Sequence, residues 1–264
     1  EAEQAKFDRG LNSMHKWYSH PFTHVLLMTG ALPQGHHLNS TPYMSRGWCY
    51  IEQQMATLVK NSQLLWYYSG YEGAKTYEQC NRQLRARAHR KRHPPLSPDQ
   101  VETEMRERTK SGSLSFSYVA DLEKVVDMYR RGFIDAFNGY RTLRRIDPGY
   151  PTTIFYGYLG WGPSEAADFA SALHYAHAHC PMTDGPIEIE LEGNHFGSSG
   201  IDALARVPCV AVSGLEKPGK TRVHEPPKFV LILDSREMLE VVETTVWTAS
   251  EGQPSATASA FSSQ

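Results

Sequence analysis

An internal repeat with a period of 35 residues constrains the fold of this 264-residue chain more than any other feature. When the segment from Tyr158 to Ala170 is laid over the segment from Gly193 to Ala205, large apolar, glycine and small apolar positions coincide. The matched pairs are Trp161 with Phe196, Gly162 with Gly197, Ala166 with Ile201, Phe169 with Leu204, and Ala170 with Ala205. A period of about 20 to 50 residues is typical of stacked structural units. This half of the chain is therefore predicted to repeat one strand–turn–helix unit.

The second copy of the repeat has the layout of a leucine-rich-repeat unit. A strand is predicted from Ile189 to Leu191, a turn at Asn194 and a helix from Gly200 to Ala205. The side-chain amide of an asparagine can bond backbone groups where the chain leaves a strand. Two copies are too few for a free-standing array, because the terminal units of such arrays must be capped. A further buried strand is predicted from Phe229 to Leu233.

The first part of the chain has the pattern of an α/β unit. Short apolar runs at Thr23–Thr29 and Leu64–Tyr68 are bounded by turn-forming residues, which favours two buried strands. Between them, from about Ser45 to near Asn61, apolar residues recur at helical spacing. The order strand, loop, helix, strand is typical of an α/β architecture.

Two further helices are predicted downstream of this unit. Ser97, Pro98 and Gln100 form a capping box with proline at the first helical position, which predicts a polar helix running to Lys110. A longer apolar stripe predicts a second helix from about Val119 to Tyr140.

The predicted fold class is α/β. A small α/β head with a central sheet occupies residues 1–148, degenerate leucine-rich-repeat-like strand–helix units occupy 149–248, and a disordered tail occupies 249–264. The boundary is expected in the proline- and glycine-rich loop Asp147–Pro151.

Composition and charge exclude several classes of protein. The net charge is -2 and the sequence pI is near 6.7, so no overall basic field points to nucleic acid or to a membrane surface. The apolar runs are far shorter than the roughly 20 residues that a bilayer crossing needs. The four cysteines are widely spaced and no two of them form a CxxC motif, which favours a reducing compartment. No signal peptide is evident, so we expect a soluble, cytoplasmic protein. We also expect no cofactor.

The start of the first predicted helix contains the strongest chemical motif. The segment Ser45–Glu52 includes Trp48, Cys49 and Glu52 at the spacing Trp-Cys-x-x-Glu, and it resembles the corresponding segment of Toll/interleukin-receptor-like domains. That resemblance implies a catalytic role for Glu52 in cleaving the nicotinamide–ribose bond of NAD. The alternative is a structural glutamate that interacts with the helix dipole or pairs with Arg46.

Four neighbouring residues are candidates for binding a substrate beside Glu52. They are Tyr43, His36, His37 and Trp48. The two histidines lie in the loop before the helix, where they could line a pocket or remain in solvent, and for Trp48 a core anchor is favoured over a substrate platform. Cys49 has no histidine nearby in sequence and is expected to be an inert, half-buried thiol.

A wider resemblance covers residues 11 to 206. The order of motifs is similar to that in a family of uncharacterised proteins from dinoflagellates and related algae, which combine such a head with repeat units of the ribonuclease-inhibitor type. The motifs are His20–Pro21, Val25–Thr29, Pro42–Tyr43, Arg46–Cys49 with Glu52, Pro94–Pro98, Tyr129–Arg131 and Leu159–Gly162. The resemblance implies an architecture and no activity.

Two other segments are unusual in composition. The loop 82–93 is basic, and Arg85, Arg87, Arg90, Lys91 and Arg92 are predicted to form an electrostatic interaction patch, with nucleic-acid binding as the weaker alternative because no aromatic residues are interleaved. His174, His177, His179 and Cys180 crowd the end of a predicted helix without a second cluster of metal-ligand spacing, so no metal site is expected.

The sequence therefore favours an interaction or scaffold protein that binds another protein. The alternative is a hydrolase of NAD that uses Glu52. Whether the chain is an enzyme, and its oligomeric state, stay open at this point.

Overall fold

Helices alternate with parallel strands in the computed structural model, which describes residues 2–30, 40–67, 76, 78–79, 92–118, 120–146, 153–181, 186–208, 210–212 and 229–233. The helices are α1 (Ala2–Asn12), α2 (Met14–Ser19), α3 (Gly47–Ala56), α4 (Pro98–Lys110), α5 (Asp121–Ile146), α6 (Pro163–His179) and α7 (Gly197–Ala205). The strands are β1 (Val25–Leu27), β2 (Leu65–Tyr67), β3 (Thr153–Phe155), β4 (Ile187–Glu190), β5 (Val210–Val212) and β6 (Phe229–Ile232). The predicted α/β class is confirmed.

The strand–helix–strand unit of the head forms as predicted. β1 and β2 pair in parallel with Val25 opposite Leu65, and α3 connects them. The helix ends at Ala56 rather than near Asn61, because the Thr57 hydroxyl donates to the Gln54 carbonyl at 2.8 Å and the chain then turns towards β2.

The α4–α5 pair is positioned by the capping box that the sequence predicts. The Ser97 hydroxyl accepts a hydrogen bond from the Gln100 backbone N–H at 3.2 Å, and the Gln100 side chain accepts one from the Ser97 N–H at 2.9 Å. α5 extends six residues beyond the predicted end at Tyr140, and its buried face includes Val125, Tyr129 and Phe133. These residues pack into the main apolar core.

The 35-residue repeat corresponds to the pairing register of two neighbouring strands. β3 and β4 are parallel with Ile154 opposite Ile189, which lies 35 residues further along the chain. The Asn194 side chain joins the two copies: its amide donates to the carbonyls of Tyr156 and Leu191, and its oxygen accepts from the N–H groups of Leu159 and Trp161. The predicted role of this asparagine is confirmed, and the two units are stacked.

The strand order beyond this pair differs from that of a repeat array. The four-stranded sheet has the order β3-β4-β6-β5, so β6 pairs with β4, whereas an array of consecutive units would place β5 there. β6 suits an interior position because Phe229 and Leu231 are fully buried. Consecutive stacking therefore holds for the first two units only.

One apolar core extends through both halves of the chain. Tyr50 and Ile51 of the head belong to the same cluster of buried side chains as Phe169 and Ile189 of the stacked units. The predicted boundary near 147–151 and the tail 249–264 lie outside the described residues. Within the described part, no helix combines the length and apolarity needed to cross a bilayer.

Candidate functional site

Glu52 lies in the middle of α3 with its carboxylate half-buried against α2. The Tyr18 side chain hydrogen-bonds to it. Burial raises the pKa of the Glu52 carboxyl above its usual value, and the hydrogen bond from Tyr18 acts in the opposite direction. The carboxylate therefore has a neutral hydroxyl donor as its neighbour in a partly desolvated setting.

The structural alternatives for Glu52 are not supported by the geometry. Arg46 donates through Nε to the Thr41 carbonyl at 2.8 Å, and the groups that shift the pKa of Glu52 do not include it. Glu52 is also the sixth residue of α3, whereas the helix dipole acts mainly within the first turn. What holds Glu52 is its contact with Tyr18.

Tyr43 and Cys49 lie near the same carboxylate. Burial, and then the charge of Glu52, raise the pKa of the Tyr43 hydroxyl, so it remains a neutral hydrogen-bond donor. Burial and Glu52 also raise the pKa of the Cys49 thiol, which Arg46 only partly offsets. The thiol is therefore protonated near neutral pH, as expected of an inert cysteine.

Trp48 is engaged in packing rather than open to a ligand. Its indole N–H donates to the Asp121 carboxylate at 3.1 Å, which ties α3 to the start of α5. The neighbouring Gly47 permits close packing of Phe116 at the start of α3, because a Cβ at that position would lie 2.0–2.5 Å from the Phe116 ring. The core-anchor alternative for Trp48 fits these contacts. His36 and His37 lie outside the described residues.

Arg92 differs from the other members of the predicted basic patch, because its side chain is only 2 % exposed. It donates to the Ser62 hydroxyl at 2.7 Å and the Thr57 carbonyl at 2.8 Å, and its guanidinium lies 4.7 Å from the centre of the Tyr156 ring. The prediction of an electrostatic interaction patch is wrong for Arg92, because a backbone carbonyl, a hydroxyl and an aromatic face bind it inside the protein. Arg85, Arg87, Arg90 and Lys91 lie outside the described residues.

Lys60 is a second buried cation, and its burial was not predicted from the sequence. Its side chain is fully buried and donates to the carbonyl of His20 and to the carbonyl and hydroxyl of Thr23. Burial, and then the charge of Arg92, lower the pKa of Lys60 to about 7. No helical or strand pattern marks this lysine, because the contacts that bury it come from a turn 37 to 40 residues earlier in the chain.

The two faces of the β1–β2 sheet differ in their cover. On the inner face, Val25, Leu27 and Leu65 are buried beneath α3. On the outer face, Leu26 and Met28 are 48 % and 49 % exposed. We call this outer surface, formed by His24, Leu26, Met28 and Trp66, the open sheet face.

The open sheet face is a departure from the usual environment of parallel strands. Parallel sheets are normally covered on both faces, usually by helices. The sequence indicated only buried strands here, because a run of three or four apolar residues does not reveal which face lacks a cover.

The described residues contain no group of three or more His, Cys, Asp or Glu side chains that could hold a metal ion. Comparisons with protein-family models, with curated proteins and with solved structures find no match.

Proposed function

We propose that this protein acts by binding another protein, and that the open sheet face is its contact surface. The observation that carries the proposal is the half-exposed pair Leu26 and Met28 on a parallel sheet whose other face is fully packed. Covering exposed apolar area removes it from water, which favours association. A contiguous apolar patch of this kind is typical of interaction sites.

The partner that fits this face is an amphipathic helix. Helices are the elements that cover parallel sheets, since an apolar helix stripe matches the side-chain rows of two strands. His24, exposed on the open sheet face, can hydrogen-bond to an acidic side chain on the flank of that helix.

A pull-down comparison tests the proposal. The immobilised protein, its L26E/M28E double variant and a Y118E control are incubated with an extract of the source cells. Tyr118 is 74 % exposed and lies before α5, so it supplies a matched apolar-to-acidic change elsewhere. We expect the wild type and Y118E to retain the same protein, and L26E/M28E to lose it. Equal retention by all three would contradict the proposal.

The stacked pair of strand–helix units suits a scaffold of this kind. We propose that these units are of the leucine-rich-repeat type, supported by the match between the 35-residue period and the β3–β4 register and by the asparagine that joins the two copies. The cysteine pattern is consistent with a cytoplasmic setting, and Cys49 is a free thiol.

Glu52 favours a second candidate function, hydrolysis of the nicotinamide–ribose bond of NAD. The supporting observation is that a hydroxyl, and no cation, partners this half-buried carboxylate. A carboxylate in that state can stabilise the positive charge that develops on the ribose as neutral nicotinamide leaves. Water then adds to the ribose carbon, giving ADP-ribose, nicotinamide and one proton.

Incubation with NAD tests this second candidate. Nicotinamide release by the purified protein is measured by chromatography and compared with E52Q, which keeps the side-chain shape, and with E107Q on the exposed surface of α4. Release by the wild type and E107Q that E52Q loses would support catalysis. Absence of release from the wild type, or equal release by E52Q, would exclude it.

A further inference from the structure

A cleft of about 690 Å³ runs along α6, between the start of α4 and the end of α7. Ala167, Ala170 and Ala178 form its floor, and Ala203 and Val207 line the α7 side. Small-molecule sites in proteins have volumes of about 300 to 1,000 Å³. The α6 cleft therefore has the size of a site for a ligand such as a mononucleotide.

The cleft is lined by charged and polar side chains that have no structural partner among the described residues. Arg206, His174 and Asp99 line it. The side chains of Arg206 and His174 are exposed and make no hydrogen bond or ion pair with any other described residue. Most other arginines of the described helices, by contrast, bind carboxylates, as Arg106 binds Glu102 and Glu123.

An aromatic stack forms one end of the cleft. The rings of Tyr175 and His179 lie with centroids 4.2 Å apart and planes inclined by 34°. Phe133 contacts Tyr175 edge-on at 5.5 Å, and the Tyr175 hydroxyl hydrogen-bonds to Arg130, so the inner ring is fixed in place. His179 is exposed and forms the outer member of the stack. A further planar ring can stack on an exposed aromatic face of this kind.

We propose that the α6 cleft binds a planar aromatic ligand that carries an anionic group, of the size of a nucleoside monophosphate. The aromatic ring stacks on His179, and the sugar lies over the alanine floor. Arg206 binds the phosphate, because a guanidinium presents paired N–H donors to phosphate oxygens. Asp99 is an acceptor for the hydroxyl groups of the sugar.

Calorimetric titration of the full-length protein tests the proposal with AMP, adenosine and inorganic phosphate as probes. The variants R206A and H179A change exposed positions of the cleft, and R9A and H195A are exposed controls outside it. We expect saturable binding of AMP that weakens at least tenfold in R206A. H179A should weaken both AMP and adenosine, whereas R206A should leave adenosine unchanged.

Three results would overturn the proposal. The first is no binding of AMP by the wild type at millimolar concentration. The second is equal binding by the cleft variants and the controls. The third is binding of phosphate alone as tightly as AMP, which would leave the aromatic stack without a role. Thermal unfolding of each variant checks that the fold is intact.

Discussion

Lys60 predicts an unusual dependence of stability on pH. The lysine is fully buried, and its pKa falls from 10.5 to about 7 on folding because burial disfavours the charged form and Arg92 adds repulsion. Below pH 7 the folded and unfolded states both hold the proton, so the pH has no effect through this group. Between pH 7 and 10.5 only the unfolded state holds it. Stability must therefore rise with pH across that window.

The size of the effect follows from the two pKa values. Each pH unit inside the window adds about 1.4 kcal/mol to the unfolding free energy. The gain per unit is smaller close to either pKa value, where the proton is only partly bound. Between pH 7 and pH 9 the wild type should gain about 2 kcal/mol of unfolding free energy through Lys60. K60M removes the titrating group but leaves the Thr23 carbonyl without the lysine as its donor, at a loss of about 1 to 3 kcal/mol that does not depend on pH.

Urea unfolding followed by tryptophan fluorescence at several pH values between 6 and 9 measures the effect. The difference in unfolding free energy between wild type and K60M should grow with pH, while K110M, at an exposed position at the end of α4, should stay parallel to the wild type. Parallel profiles for wild type and K60M would refute the inference that Lys60 loses its proton inside the folded protein.

Three further substitutions test the packing described above. N194A should lower the unfolding free energy by about 2 to 4 kcal/mol, because its side chain loses four hydrogen bonds to the backbone, three of them to the other stacked unit, and chemical denaturation measures it; a loss below 0.5 kcal/mol would exclude this role. S97A should lower it by about 1 kcal/mol through the loss of the capping box at α4, with S117A, at an exposed position outside the helix, as control. G47A should destabilise the head by at least 1 kcal/mol, because its Cβ would overlap the Phe116 ring, and an unchanged melting temperature would show that the ring moves aside freely.

Local signals in the sequence were sufficient for much of the fold. The capping box at Ser97 predicted the start of α4, since the cap and its partner lie within four residues. The 35-residue period agrees with the β3–β4 register, in which Ile154 lies opposite Ile189, although the sequence predicted only a repeated strand–turn–helix unit and not the pairing itself. The position of β6 between β4 and β5 was not predictable in this way, since pairing of distant strands leaves no periodic trace.

The candidate sites were less accessible to sequence reasoning. Glu52 was singled out by its motif, but its partner Tyr18 comes from a helix 34 residues earlier, and no local pattern marks that contact. Arg92 was grouped with its basic neighbours in the chain, although Ser62, Thr57 and Tyr156 bury it. The open sheet face likewise depends on which elements are next to β1, a property of the whole fold.

The proposal of a protein-binding sheet face is tested most directly by site-specific photo-crosslinking. A photoreactive phenylalanine analogue replaces Leu26 in one preparation and Tyr118 in another, and both are irradiated in cell extract. We predict crosslinks from position 26 to one partner, mapped by mass spectrometry to a helix with apolar residues at spacings of three and four and acidic flanks. Equal crosslinking from position 118, or adducts spread over many unrelated segments, would contradict the account.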